Sequence, residues 1–278
     1  ADRTSIIAQY KPLAADCQIE FKLETLDENG VCTNGITRHY TPNTNWVPSG
    51  GFYLYTWDRT KYLNIYVVKT MQSGAAGYTY LPGTAGANSD AIVVLHNYVG
   101  SIGTSNNFTS RTLTHETGHW FNLQHVWGST NNPNVACGDD GVSDTPVTKG
   151  HTNCSLNSAV CTSGVVENVQ NYMEYAYCSR MFTIGQKTRM HNCIIGGIAG
   201  RDNLSSNANL IATGVINPNT NCAPKAEFIS SPVTCVGNIF NFTDLSYYAT
   251  ATSWTWSSPH ASNISTSQNG SLTFAGSG

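Results

Sequence analysis

The sequence predicts an α+β fold in which one large domain is followed by a small, incomplete β-sandwich. Three observations predict it. Short Val-, Ile- and Tyr-rich runs mark the first hundred residues, two stretches at 111–123 and 186–195 carry helical signals, and the pattern turns strand-like again beyond 217. A chain of 278 residues suits one large domain plus part of a second. The boundaries read as 1–216, a linker at 217–221, and 222–278.

Taken in order, Ile19–Leu26 alternates apolar and polar residues, and Asp27-Glu28-Asn29-Gly30 supplies a turn after it. Tyr62–Val68 and Ala91–His96 are short apolar runs that read as sheet strands. From Arg111 to about Leu123 there is no Pro and one Gly, with Leu113, Trp120 and Leu123 at helical spacing. Gly, Pro, Asn, Asp and Cys dominate 126–169, which predicts a long loop region stapled by disulfides. Thr183 is an N-cap for a second helix at Gln186–Ile195. Pro218, Asn219, Asn221 and Pro224 mark the linker, and Ala226–Ile229, Ile239–Phe242, Ser253–Trp256 and Leu272–Phe274 read as strands.

Composition narrows the function classes. Charged residues are 11%, well under the usual value of about 25%. The formal charge is only −3, so the basic surplus of a nucleic-acid protein is missing. No apolar run reaches the roughly 18 residues of a membrane span. Nine cysteines without a C-x-x-C pair point to disulfides in an oxidising compartment, with at least one sulfur left over. The opening Ala-Asp-Arg-Thr-Ser is not a signal peptide, so the expectation is a processed chain that is secreted or at the cell surface.

One segment carries chemistry: His115-Glu116-Thr117-Gly118-His119-Trp120-Phe121-Asn122-Leu123-Gln124-His125. Positions i and i+4 share a helix face, so His115 and His119 can both present imidazoles to one Zn²⁺. Glu116 stands where its carboxylate can serve a reacting water as general base without ligating the metal. His125 joins as third ligand only if the chain turns sharply after His119. Asn122 is the residue there that best tolerates a left-handed backbone.

With Asn171-Tyr172-Met173-Glu174-Tyr175, Asp139-Asp140-Gly141-Val142-Ser143-Asp144-Thr145-Pro146 and Phe182-Thr183-x-Gly185-Gln186-x-x-Arg189-Met190, this motif resembles the metzincin zinc proteases, specifically the bacterial cytophagalysin branch of the pappalysins. The resemblance spans about 8–215. It implies a metzincin domain with a twisted sheet, a zinc-binding helix and a Met-turn, hydrolysing proteins or peptides. Met173 would form an apolar floor below the histidines, and Tyr175 would steady the oxyanion. Crossed disulfides Cys137–Cys161 and Cys154–Cys178 are implied, although four cysteines alone permit three connectivities. Asp139, Asp140, Asp144 and Thr145 are the calcium candidates, since hard oxygen ligands on a loop suit Ca²⁺. The wall after the Met-turn, Tyr175-Ala176-Tyr177-Cys178, holds no acid, and Glu174 is expected to point away, so an uncharged P1′ residue is expected. The tail resembles a polycystic-kidney-disease-type (PKD) module, about half the roughly 100 residues of an immunoglobulin-like sandwich, with Cys222 and Cys235 paired inside it. Relatives place a strand and a helix upstream of the stretch matching Tyr10–Leu23, so the catalytic domain is expected to lack its start. The pairing of Cys17, Cys32 and Cys193 is left open. An adhesive or matrix-binding protein with an inactive protease-like domain is the alternative reading.

Overall fold

The structure is a computed structural model that describes residues 2–39, 41–42, 45–46, 53–72, 74–216, 222, 223–230, 235, 237–248, 251–258 and 261–273, the first three of the last stretch by backbone alone. The linker expected at 217–221 and the strand end at Phe274 lie outside the described residues. The chain forms two compact units, Ala1–Phe21 with His39–Asn209, and Lys22–Arg38 with Leu210–Gly278.

In the first unit, strands β1 (Asn45–Trp46), β2 (Ile65–Val68), β3 (Thr70–Met71), β4 (Gly77–Thr79) and β5 (Ile92–Leu95) make two small sheets. β1 pairs with β3, while the larger sheet runs β2-β5-β4. β5 is central, parallel to β2 and antiparallel to β4. Ile92, Val93 and Val94 are fully buried, which is why this strand reads as an unbroken apolar run.

Helix α1 (Thr112–Trp120) packs against β4 and β5. Its end is a Schellman turn. Asn122 adopts φ +74°, and the Leu123 amide donates back to the Gly118 carbonyl at 2.9 Å. From there to residue 182 the chain has no helix or extended strand. Two disulfides, Cys137–Cys161 and Cys154–Cys178, bind this loop region to itself. Helix α2 (Ile184–Ile195) begins with a capping box. Thr183 accepts the Gln186 amide, and the Gln186 side chain accepts the Thr183 amide. Short helices α3 (Arg201–Leu204) and α4 (Asn207–Ala212) follow. Ile92, Trp120, Leu123, Val126, Met173, Phe182 and Met190 form the core between α1, α2 and the loop region.

The second unit holds β6 (Phe228–Ser230), β7 (Ile239–Asp244), β8 (Trp256–Ser258), β9 (Ala261–Ser265) and β10 (Gly270–Thr273). They form an antiparallel sheet β10-β7-β6 and an antiparallel pair β8-β9.

Two expectations are corrected. Ile19–Leu26 is not a strand. Phe21 and Leu23 stay 55% and 60% exposed, so the alternation has no sheet face to bury, and only Leu26 makes a bridge, to Cys32. The Cys222–Cys235 bond is not formed either. Cys222 pairs with Cys32, and Cys235 is free and exposed. The turn at 25–33 brings Cys32 to a Cα–Cα distance of 5.8 Å from Cys222, within bridging range, across a separation of 190 residues that no local pattern reveals. Cys17 and Cys193 are free.

Candidate active site

Helix α1 puts His115 and His119 on one face, and the turn at Asn122 returns His125 to them. The three imidazoles offer ligand atoms within 4.8 Å of one another, the one such His/Cys/Asp/Glu group among the described residues. Each ring is oriented by a backbone carbonyl at its Nδ1: Tyr172 for His115 at 2.7 Å, Leu123 for His119 at 2.7 Å and Thr130 for His125 at 2.9 Å. A carbonyl only accepts, so Nδ1 carries the proton and Nε2 is bare. His119 Nε2 lies 3.1 Å from that of His115 and 3.2 Å from that of His125. Three lone pairs thus converge with no proton between them, an arrangement that a cation relieves. Burial also keeps the rings neutral. It lowers the pKa of His119 to about 4 and of His125 to about 3, and drives His115 well below its ordinary value. The residues therefore fit a divalent metal, and outer carbonyls of this kind fix ring and tautomer in such sites.

The floor explains the one glycine in α1. A Cβ on Gly118 would meet Met173 Sδ at 2.4 Å, so the fully buried methionine reaches the helix axis only because position 118 has no side chain. Met173 is set by Asn171, whose Oδ1 accepts its amide at 2.9 Å. Asn171 Nδ2 in turn donates to Gln186 Oε1 at 2.8 Å, which ties the turn to the start of α2.

Glu116 is 6% exposed, and burial raises its pKa to about 8. The Tyr175 ring stands 4.9 Å from that of His125 and 5.6 Å from that of His115, and burial raises its hydroxyl to about 12. Trp127 stacks on His125 at 4.4 Å. A cleft of about 670 Å³ opens over these groups, lined by 74–79 with β4, by Arg111 and the zinc-motif residues, and by Tyr172 and 174–177. Glu174 borders this wall, but its carboxylate is turned into the protein. It is 3% exposed, and its Oε2 accepts the amides of His151 at 2.8 Å and Tyr175 at 3.3 Å. The acidic loop does not converge on one point. Asp139 accepts the Gly141 amide, Asp140 the Val142 amide and Thr145 hydroxyl, and Asp144 the Thr183 hydroxyl and Gly185 amide.

The sequence assigns no individual role to Gly77, whose missing side chain admits Glu116, to Trp127, or to the Asn171–Gln186 pair, although Asn171 and Gln186 stand in the motifs that carry the resemblance.

Residues 51–195, just over half of the chain, match the peptidase M43 family, described as pregnancy-associated plasma protein-A. An extracellular metalloprotease of Sordaria macrospora is 34% identical over 173 residues, covering 54% of this chain and 56% of the relative. One from Uncinocarpus reesii is 33% identical over 183 residues, covering 59% and 61%. The chain thus spans well under two thirds of these curated relatives. Among solved structures, Tannerella forsythia mature mirolysin in complex with a cleaved peptide superposes with a TM-score of 0.68 at 29% identity, over 77% of this chain and 84% of that one. Three converging neutral histidines, the methionine below them and these matches lead to one assignment: the chain belongs to the peptidase M43, or pappalysin, family.

Proposed function

We propose that this protein is a secreted zinc endopeptidase, and the observation that carries the reading is the convergence of three bare Nε2 atoms beside a buried glutamate. His115, His119 and His125 would hold the ion. When bound, zinc supplies a Lewis acid that acidifies water towards a pKa of about 7 and polarises a carbonyl. Glu116 accepts the proton of the attacking water and returns it to the leaving amine; its raised pKa places it near the working pH for both steps. The Tyr175 hydroxyl keeps its proton and donates to the developing oxyanion. Among the described residues β4 is an edge of its sheet and lines the cleft, so its outward amides and carbonyls suit an extended peptide.

Secretion is supported by three disulfides and by relatives named extracellular. The two small antiparallel sheets at 228–273 support a PKD-like module after a catalytic domain at 1–216. Calcium at Asp139, Asp140, Asp144 and Thr145 gains no support, because those oxygens are already hydrogen-bonded within the loop and to the start of α2. The cleft wall favours an uncharged P1′ residue, since burial keeps Glu174 neutral there up to about pH 8. Cleavage-site profiling that found arginine dominant at P1′ would overturn this preference.

The central test is a casein assay with and without a zinc chelator. Activity should vanish with the chelator and return with zinc, and Glu116→Ala should bind zinc without turning over. A Glu116→Ala variant as fast as the parent would refute the mechanism. A zinc-loaded parent that clears no protein substrate would favour the adhesive reading.

A further inference from the structure

The N-terminal turn Asp2–Ser5 touches the machinery around His115. Arg111 grips the Asp2 carboxylate with two bonds, Nε to Oδ2 and Nη2 to Oδ1, both 2.7 Å. The Tyr172 hydroxyl donates to the same Oδ2 at 2.7 Å. Arg111 and Tyr172 are also the two residues whose backbones hold His115. The Arg111 carbonyl accepts the His115 amide at 3.0 Å, and the Tyr172 carbonyl accepts its Nδ1–H at 2.7 Å. A single carboxylate therefore joins, through two side chains, the residue whose carbonyl holds the His115 backbone and the residue whose carbonyl orients its ring.

We propose that Asp2 is a positioning residue of the metal site, fixing the His115 imidazole through Arg111 and Tyr172. The inference rests on the zinc-protease reading and extends it to a residue 113 positions from its target. Two further observations support it. The turn is anchored on both sides of Met173: Gln170 Nε2 donates to the Ser5 carbonyl at 3.0 Å, the Ile7 amide donates to Gln170 Oε1 at 2.9 Å, and Arg180 Nε donates to Ser5 Oγ at 3.1 Å. Partial burial alone would push the Asp2 carboxyl up, yet the bonds from Arg111 and Tyr172 outweigh it and hold the group below the usual carboxylate value. A paired guanidinium and carboxylate lock orientation as well as distance, so a fault at Asp2 reaches the ring as a rotation rather than as a loss of fold.

Direct outer partners of metal ligands are worth about 10- to 100-fold in affinity or activity, and Asp2 stands one bond further out, so an effect of about 3- to 10-fold is expected. The experiment uses the full chain. Zinc affinity is measured by competition with a chromophoric chelator, and the visible bands of the cobalt-loaded protein are recorded, for the parent, Asp2→Asn, Arg111→Lys and His115→Ala. Asn keeps an acceptor for Tyr172 but loses the charged pair, whereas Lys keeps the charge but loses the fork. Both should weaken zinc by about 3- to 10-fold, shift the cobalt bands and lower kcat with KM unchanged, at nearly parental Tm. Parental affinity and an identical cobalt spectrum in both variants, with His115→Ala defective, would overturn the inference and leave the zinc reading standing. A parent that binds no zinc would sink both. If Asp2→Asn does not fold, Arg111→Lys alone decides.

Discussion

Gly77 faces Glu116 so closely that a Cβ there would stand 2.6 Å from Oε1 and 2.7 Å from Cγ. The strand beside the Glu116 carboxylate must therefore be bare at this point. Gly77→Ala should displace the carboxylate by about 1 Å and cost about 100-fold in kcat while zinc content stays parental; turnover within threefold of the parent would contradict the packing. Glu174 makes a second prediction at this scale. Burial raises its folded pKa to about 8 against an ordinary 4.5, so the neutral form is favoured in the fold. Its stabilising contribution is present in full below about pH 4.5 and is lost as pH rises towards 8. Across that window the parent should lose up to about 1.4 kcal/mol per pH unit relative to Glu174→Gln, whose side chain cannot ionise. Denaturant melts of the two proteins at pH 5 and pH 8 measure the difference, and parallel curves would exclude it. The three converging histidines could be read in the sequence because their spacing is a property of one helix and one turn. Gly77 and Glu174 could not, because their roles arise where β4 meets α1 and where the 148–152 segment closes on the Met-turn.

Helix α1 has nine residues and an internal glycine, and so short a helix is marginal by itself. Gly118 costs it about 1 kcal/mol more relative to Ala. Its stability comes from what packs on it: Met173 beneath, and at its end the fully buried Arg201, whose Nε donates to the Trp120 carbonyl at 3.1 Å. The Arg201 guanidinium lies 3.6 Å over the Trp120 ring and meets Asp90 at 2.7 and 3.0 Å, while Trp120 Nε1 donates to the same carboxylate at 2.9 Å. Arg201→Met removes one member of this buried cluster and leaves Asp90 with Arg59 and Trp120 alone, so it should destabilise by about 3–5 kcal/mol. A change in Tm below about 3 °C would show that the pair contributes little. Elements with local signals were legible. The capping box at Thr183 and Gln186 starts α2 within two residues of its expected place, and β2 and β5 fall inside the two apolar runs. Arg201 gave no such signal, since a buried arginine looks like a surface one until Asp90 arrives from 111 residues away.

The two units are not the two halves of the sequence. Composition changes near 217, where a boundary was expected, yet residues 22–38 leave the first stretch to join 210–278. The Cys32–Cys222 bond records that excursion. Its sequence signal was weak because disulfide partners are chosen by Cα distance, and proximity along the chain favoured Cys235 instead. Everything between those two cysteines, the whole metal site included, is a closed covalent loop. On the proposed peptidase reading the molecule can cut itself, and a nick in the exposed stretch 129–136, outside the Cys137–Cys161 and Cys154–Cys178 loops, would leave Cys32–Cys222 to hold the two pieces together. Such a molecule should keep its full apparent mass on a denaturing gel and come apart only once a reductant is added; fragments that separate without reductant would refute the ring closure. The bond thus works as a tether, so that a cut between its two cysteines leaves a single particle and bulk size ceases to report how much intact chain remains.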